Sequence, residues 1–311
     1  MTSTAQRVRV PARRRAPGGR RRFGVRSVSW LPFVLPGVAL FAVFEIWPLI
    51  QAIVLSLYKW DGYSTKQFVG LANYGAALTD DKFWGSLGHA SLYTVGTVAG
   101  KMVLGLAIAV LLNKKIAGYA FYRSVAFAPA LMSFVAVGIL WQLVFSPQQG
   151  LMNQVLGLLH LDGRVDWLGD PSTALPSLII VDLWKWVGYH AILFLAGLTL
   201  VRRELQEAAL VDGASAGQVF WHVTLPSIRP VVVVNLIIAT AGALNTFDLV
   251  YVMTDGGPFG ATELPITYMY RVGFRNSELG YASAIACLMF VLVGIVTLLI
   301  LRLRASSEEE A

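Results

Sequence analysis

Six long apolar runs, each close to or above the about 20 residues that cross a bilayer as a helix, constrain this chain more than any other feature. They lie at about 31–58, 90–112, 125–145, 178–201, 231–253 and 281–301 of the 311 residues. A mean hydropathy of +0.62 with 14% charged residues is outside the range of an ordinary soluble domain. Backbone in hydrocarbon must satisfy its own hydrogen bonds, so the runs predict an all-α polytopic membrane protein with six transmembrane helices. Pro32, Pro36 and Pro48 in the first run predict kinks or frayed turns, and the third run holds Pro129. The string GTVAGK at 96–101 lacks the spacing of a phosphate loop, and Met102 stands where Ser or Thr is required. Gly96 and Gly100 instead make a GxxxG pair suited to close helix packing.

The net charge of +7 does not imply nucleic acid, because the basic residues are concentrated outside the apolar runs. Nine arginines fall within residues 1–29, which predicts a disordered arm. That arm suits a cytoplasmic topology anchor and has affinity for anionic headgroups of membrane lipid. The first run is too long for a secretory signal peptide. With the N-terminus in the cytoplasm, 17 Lys and Arg fall on the cytoplasmic side, 6 on the outer side and 2 within spans. Without the arm the split is 8 to 6, so the arm decides the orientation and puts both termini inside. The expected organisation is an arm at 1–29, a six-helix domain at 30–304 and a cytoplasmic tail at 305–311.

Charged groups inside the runs include Glu45, Lys101, Asp182 and Lys185, each costly in hydrocarbon. They suit either a polar path or internal pairing, and Asp182 and Lys185 have the helical spacing to pair locally. Trp184, Trp186 and Tyr189 offer flat faces for sugar rings or for helix packing, and Asn245 and Asp248 offer the hydrogen-bonding types a polyol needs or, equally, a cap or packing contact for their helix. His89, His160, His190 and His222 are scattered and stand in no HExxH context, so no catalytic centre is expected. The single Cys287 lies in an apolar run and reads as a small buried hydrophobe. No cofactor or metal is expected on this chain.

Between the fourth and fifth runs lies EAALVDGASAGQVFWHVTLPSIRP, residues 207–230. Its pattern predicts a helix, a bend at Gly213, a short helix and an exit at Pro226 and Pro230. Glu207, Ala208, Ala209, Asp212, Gly213, Ala214, Phe220, Leu225 and Pro226 resemble the EAA loop of ABC-importer permeases. In that family the loop, here 203–230, carries a coupling helix that docks on a separate ATPase subunit. FVGLxNY at 68–74 and FDLVYVMTDGGPxxxTE at 247–263 resemble the carbohydrate-importer subgroup.

The resemblance implies the type I importer permease architecture in a prokaryotic cell membrane. It also implies a second, homologous permease subunit, two ATP-binding subunits that hold ATP and Mg, and an extracytoplasmic solute-binding protein. The chain itself is then not an enzyme. Candidate residues along the path are Asn245, Asp248, Trp184, Trp186, Tyr189 and Lys185. Gly213 and Pro226 would fix the loop shape, and Glu207 would meet the partner. The cargo implied is a mono- or oligosaccharide. Glycerol phosphate or another polar solute stays open through Arg271 and Arg275, and an ion-coupled secondary carrier is the remaining alternative, although no inverted repeat is evident.

Overall fold

A computed structural model describes residues 31–114, 117–160 and 164–308. The arginine-rich arm expected at 1–29 and the last three residues of the tail lie outside the described residues. The chain divides into two units, Met1–Leu49 and Ile50–Ala311. The first holds α1 (Leu31–Phe41), a π-helical segment π1 (Ala42–Ile46) and the start of α2 (Trp47–Leu55). The second holds α3 (Ala72–Leu78), α4 (Asp81–Asn113), α5 (Tyr119–Leu131), α6 (Phe134–Val144), α7 (Leu151–Leu158), α8 (Pro171–Thr199), α9 (Arg203–Val211) and α10 (Ala216–Val219). It continues through π2 (Phe220–Thr224), α11 (Leu225–Ser227), α12 (Arg229–Leu244), α13 (Asp248–Met253), α14 (Pro265–Tyr270), π3 (Arg271–Arg275) and α15 (Leu279–Glu308). The sheet content among the described residues is a two-residue antiparallel pair, Tyr58–Lys59 with Gln67–Phe68. The fold is all-α.

Four helices are long and apolar enough to cross a membrane: Phe33–Leu55, Asp81–Asn113, Pro171–Thr199 and Leu279–Arg302. Two further spans exist if each bent pair counts as one, Tyr119–Leu131 with Phe134–Val144 at 99° and Ala216–Ser227 with Arg229–Leu244 at 69°. The third apolar run is therefore a broken helix rather than a continuous span. Its second half starts at a fresh cap, where Ser133 Oγ accepts from the Ala136 amide at 3.2 Å. The fifth run also divides, since α12 stops at Leu244 and α13 starts at Asp248. The second and fourth spans begin earlier than hydropathy alone predicts, because Asp80 and Asp170 cap them from outside the apolar run.

The core of the larger unit is the packing of α4 against α8, and small residues make it possible. A Cβ on Gly96 would meet Ile179 at 3.0 Å, and one on Gly100 would meet Leu183 at 2.5 Å. At Gly105 the neighbours are His190 and Ala191, at 3.3 Å. Contact positions rise together on both helices, so α4 and α8 run parallel, and their C-terminal ends lie at one end of the bundle. Gly188 admits α5, where an added Cβ would sit 1.7 Å from the Ala126 carbonyl oxygen.

The FVGLxNY stretch ties the chain near Ser56 to the start of α15. Asn73 Nδ2 donates to the carbonyls of Ser56 at 2.7 Å and Tyr58 at 2.9 Å. Gly280 leaves room for the Tyr58 carbonyl, which an added Cβ would approach to 1.9 Å. Asp80 caps α4 and also accepts from the hydroxyls of Tyr268 and Tyr281, the latter at 2.7 Å.

Candidate functional sites

The segment after α8 forms a braced helix-turn-helix. α9 ends in the hydrogen bonds of a Schellman turn, with Ala214 N–H donating to Ala209 O at 3.0 Å and Gly213 N–H to Leu210 O at 3.1 Å. The turn needs φ +86° at residue 213, which glycine adopts without the Cβ penalty. Ser215 and Gln218 then form a capping box that starts α10. Gln206 Nε2 donates to Thr224 Oγ1 at 3.1 Å and ties the two arms together. Pro226 follows π2, where Leu225 N–H reaches back five residues to Phe220 O.

Glu207, Ala208, Asp212, Gly213 and Pro226 are exposed, and Ala209, Ala214, Phe220 and Leu225 are half-buried. Glu207 meets Arg203 at 3.6 Å, a surface pair worth a few tenths of a kcal/mol. Around it the segment exposes Leu205, Leu210, Val211 (85%) and Trp221. Exposed apolar side chains on a motif braced in this way suit an interaction surface. Gly213 and the prolines are legible in sequence, and the S-x-x-Q spacing of Ser215 and Gln218 is a signal that the sequence reading passed over.

A second site lies inside the bundle, in a cavity of about 370 Å³. Trp186 and Tyr189 on α8 face it, as do Asn245 and Asp248 from the break between α12 and α13. Trp186 and Tyr189 meet edge to face at 5.7 Å. Asn245 Nδ2 donates to Ala241 O at 2.8 Å, leaving its carbonyl oxygen for other partners. Asp248 is exposed and has no ion pair among the described residues. The floor is an ion pair, Lys101 Nζ to Asp182 Oδ2 at 2.5 Å, with both side chains 4% exposed or less.

Two of the six residues expected along a path stand elsewhere. Trp184 packs edge-on against Trp141 at 5.6 Å. Lys185 does not pair with Asp182, which Lys101 has taken. Its Nζ donates to the carbonyls of Met132 at 2.5 Å and Pro129 at 3.3 Å, acceptors exposed where the third span breaks. It sits behind the cavity wall, 4.7 Å from the Phe134 ring and 5.2 Å from the Trp186 ring. His190 is held by Asn235 on α12, which donates back to His190 O at 3.2 Å.

Near the end of the bundle opposite α9 is a clamped loop. Arg271 pairs with Glu263 at 2.8 Å, and Arg275 grips Asp255 through two bonds of 2.8 and 3.1 Å. Both arginines left open for phosphate by the sequence are thus engaged by carboxylates.

Comparison with known proteins places these features in one setting. Residues 101–306 match the model of the family described as "Binding-protein-dependent transport system inner membrane component". The chain is 35% identical over 281 residues to the multiple sugar-binding transport system permease protein MsmF of Streptococcus mutans, covering 90% of this chain and 96% of that one. It is 36% identical over 261 residues to the trehalose/maltose transport system permease protein MalF of Thermococcus litoralis, covering 84% and 88%. In fold it is similar to a chain in the crystal structure of a bacterial ABC transporter involved in the import of the acidic polysaccharide alginate. That likeness has a TM-score of 0.78 at 23% identity, over 89% of this chain and 96% of the other. The chain belongs to the family of binding-protein-dependent transport system inner membrane components, and it is a multi-pass membrane protein.

Proposed function

We propose that this chain lines half of the path of an ATP-driven importer for a mono- or oligosaccharide, and that the 203–230 segment couples it to ATP hydrolysis on another subunit. The observation that carries the reading is the braced motif Arg203–Ser227, rigid in its own hydrogen bonds yet apolar and unsatisfied on its exposed face. A surface of that kind calls for a folded partner. A second permease subunit, two ATP-binding subunits and an extracytoplasmic binding protein complete the assembly. The sugar reading draws support from the relatives' transport of sugars and from the cavity, where Trp186 and Tyr189 offer ring faces and Asn245 and Asp248 offer polar groups. A phosphate-bearing cargo is disfavoured, because Arg271 and Arg275 are already neutralised by Glu263 and Asp255. The arm and both termini lie in the cytoplasm in this reading.

The test is affinity purification from solubilised membranes, wild type beside a Glu207→Ala, Gly213→Pro double variant. Proline cannot adopt φ +86° and removes the amide that bonds Leu210 O, so the turn opens. An ATPase should accompany the wild type and be lost from the variant. A chain that purifies alone yet moves sugar without ATP would replace the importer by a secondary carrier.

A further inference from the structure

A cavity of about 330 Å³ opens at the end of the bundle where α4 ends, α5 begins and α8 ends, apart from the inner cavity. Part of its wall is apolar, with Leu112 and Leu195 buried and Ile192 half-buried. The rest carries exposed N–H and O–H donors, on Asn113, Tyr119 and the guanidinium of Arg123. No carboxylate lines the cavity, and no ion pair among the described residues joins Arg123. The Thr199 hydroxyl, also in the wall, gives its proton to Ala196 O at 2.7 Å. The site thus offers a full positive charge flanked by neutral donors, and its own wall does not neutralise that charge. An anion is what such a wall receives.

Depth decides what kind of anion. Ile192 and Thr199 both line the cavity, so it runs roughly 10 Å along α8 at about 1.5 Å per residue. Arg123 stands about one turn into α5, on a stretch that also exposes Phe121, Tyr122 and Val125, and α4 exposes Leu111 beside Asn113. With these helices crossing a membrane, a cation at that depth lies where headgroups meet hydrocarbon. A small soluble anion would fill the polar end and leave the apolar length empty. A phospholipid matches both parts. Its phosphate accepts from Arg123, Asn113 and Tyr119, and its glycerol and first methylenes lie along Ile192 and Leu195. An anionic headgroup is selected over a zwitterionic one, because a choline or ethanolamine cation would meet Arg123 with no carboxylate in the wall to receive it.

We infer that this cavity binds one anionic phospholipid, held at its phosphate by Arg123 and along its apolar part by α8. Neither cargo nor ATP enters this site, so it stands or falls apart from the importer reading.

The experiment is native mass spectrometry of the purified, detergent-solubilised transporter. It is titrated with phosphatidylglycerol, with phosphatidylcholine, and with phosphatidylglycerol in the presence of inorganic phosphate. The readout is the dissociation constant of the first lipid bound. Wild type should hold phosphatidylglycerol about tenfold or more tighter than phosphatidylcholine, about 1.4 kcal/mol. Arg123→Gln, at an exposed position, should remove that preference. Ala196→Leu should weaken phosphatidylglycerol about tenfold without touching a charge, because Ala196 is an exposed helix residue in the wall and leucine fills the space. Arg302→Gln, at an exposed arginine outside the cavity, should leave the constant unchanged. Wild-type binding in either Arg123→Gln or Ala196→Leu would overturn the proposal. So would an equal loss in Arg302→Gln, the mark of general attraction to a basic surface. Displacement of the lipid by inorganic phosphate would make this a free-anion site instead, and no preference between the two lipids would leave the groove to a protein partner; either result overturns the proposal.

Discussion

Four buried or capping charges show how a residue's partner decides its meaning. Lys185 looks from sequence like a path residue, yet at 1% exposed it serves the backbone carbonyls of a broken span. Lys185→Met should lower stability by about 1–3 kcal/mol through two orphaned acceptors, read as a drop in Tm in detergent. Lys101 and Asp182 differ, because each is the other's counter-charge inside the bundle. Lys101→Met or Asp182→Leu alone should cost about 3–5 kcal/mol, and the double variant much less than the sum. Additive losses in that cycle would deny the pairing. Asp80 works at the end of a span. Burial opposes its charge, but the hydroxyls of Tyr268 and Tyr281 and the amides of Lys82 and Phe83 hold its carboxyl below the usual 3.8. Its depressed pKa stabilises the fold above 3.8, and that contribution is lost as pH falls through the lower folded value. The loss of stability below pH 3.8 should be smaller in Asp80→Ala than in wild type, as followed by tryptophan fluorescence.

At the scale of elements, two rules of helix chemistry explain most of what hydropathy missed. π1 and π2 each end two residues before a proline, Pro48 and Pro226. Proline has no amide to donate and crowds the carbonyl four residues back, so a wider turn with its bond reaching five residues back relieves both. The prolines predicted trouble in the right places, but not that the helix would absorb it. The break near Pro129 and Met132 was less legible, because the apolar run continues through it and the compensating lysine comes from another helix. The GxxxG pair was legible because small residues four apart carry meaning whatever the neighbour is. Gly100→Leu should therefore cost at least the about 1–3 kcal/mol of an overpacked core, whereas Gly85→Leu, facing open space, should leave Tm within a degree or two. Equal effects of the two would remove the packing role of Gly100.

For the whole molecule, the family could be recognised because the EAA segment is local, with its helix, glycine turn and proline exit adjacent in sequence. The cavity could not be, since Lys101, Asp182, Trp186 and Asp248 meet through the packing of α4, α8 and the α12–α13 break. Orientation is the remaining property of the whole, and here the arginine arm carries the argument while the internal loops are nearly balanced. α4 and α8 run parallel, and the 254–263 loop contacts the start of α4 through His89, while α9 follows the end of α8. The loop and the EAA segment thus face opposite sides of any membrane the bundle crosses. Single cysteines in a Cys287→Ser background test which side is which. Phe259 is 99% exposed at the loop tip and Val211 is 85% exposed beside Gly213, so both report without disturbing the core. In intact cells Phe259→Cys should react with a membrane-impermeant maleimide and Val211→Cys only after permeabilisation. The reverse pattern would put the EAA segment outside, away from any ATPase, and the importer reading would fall with the orientation.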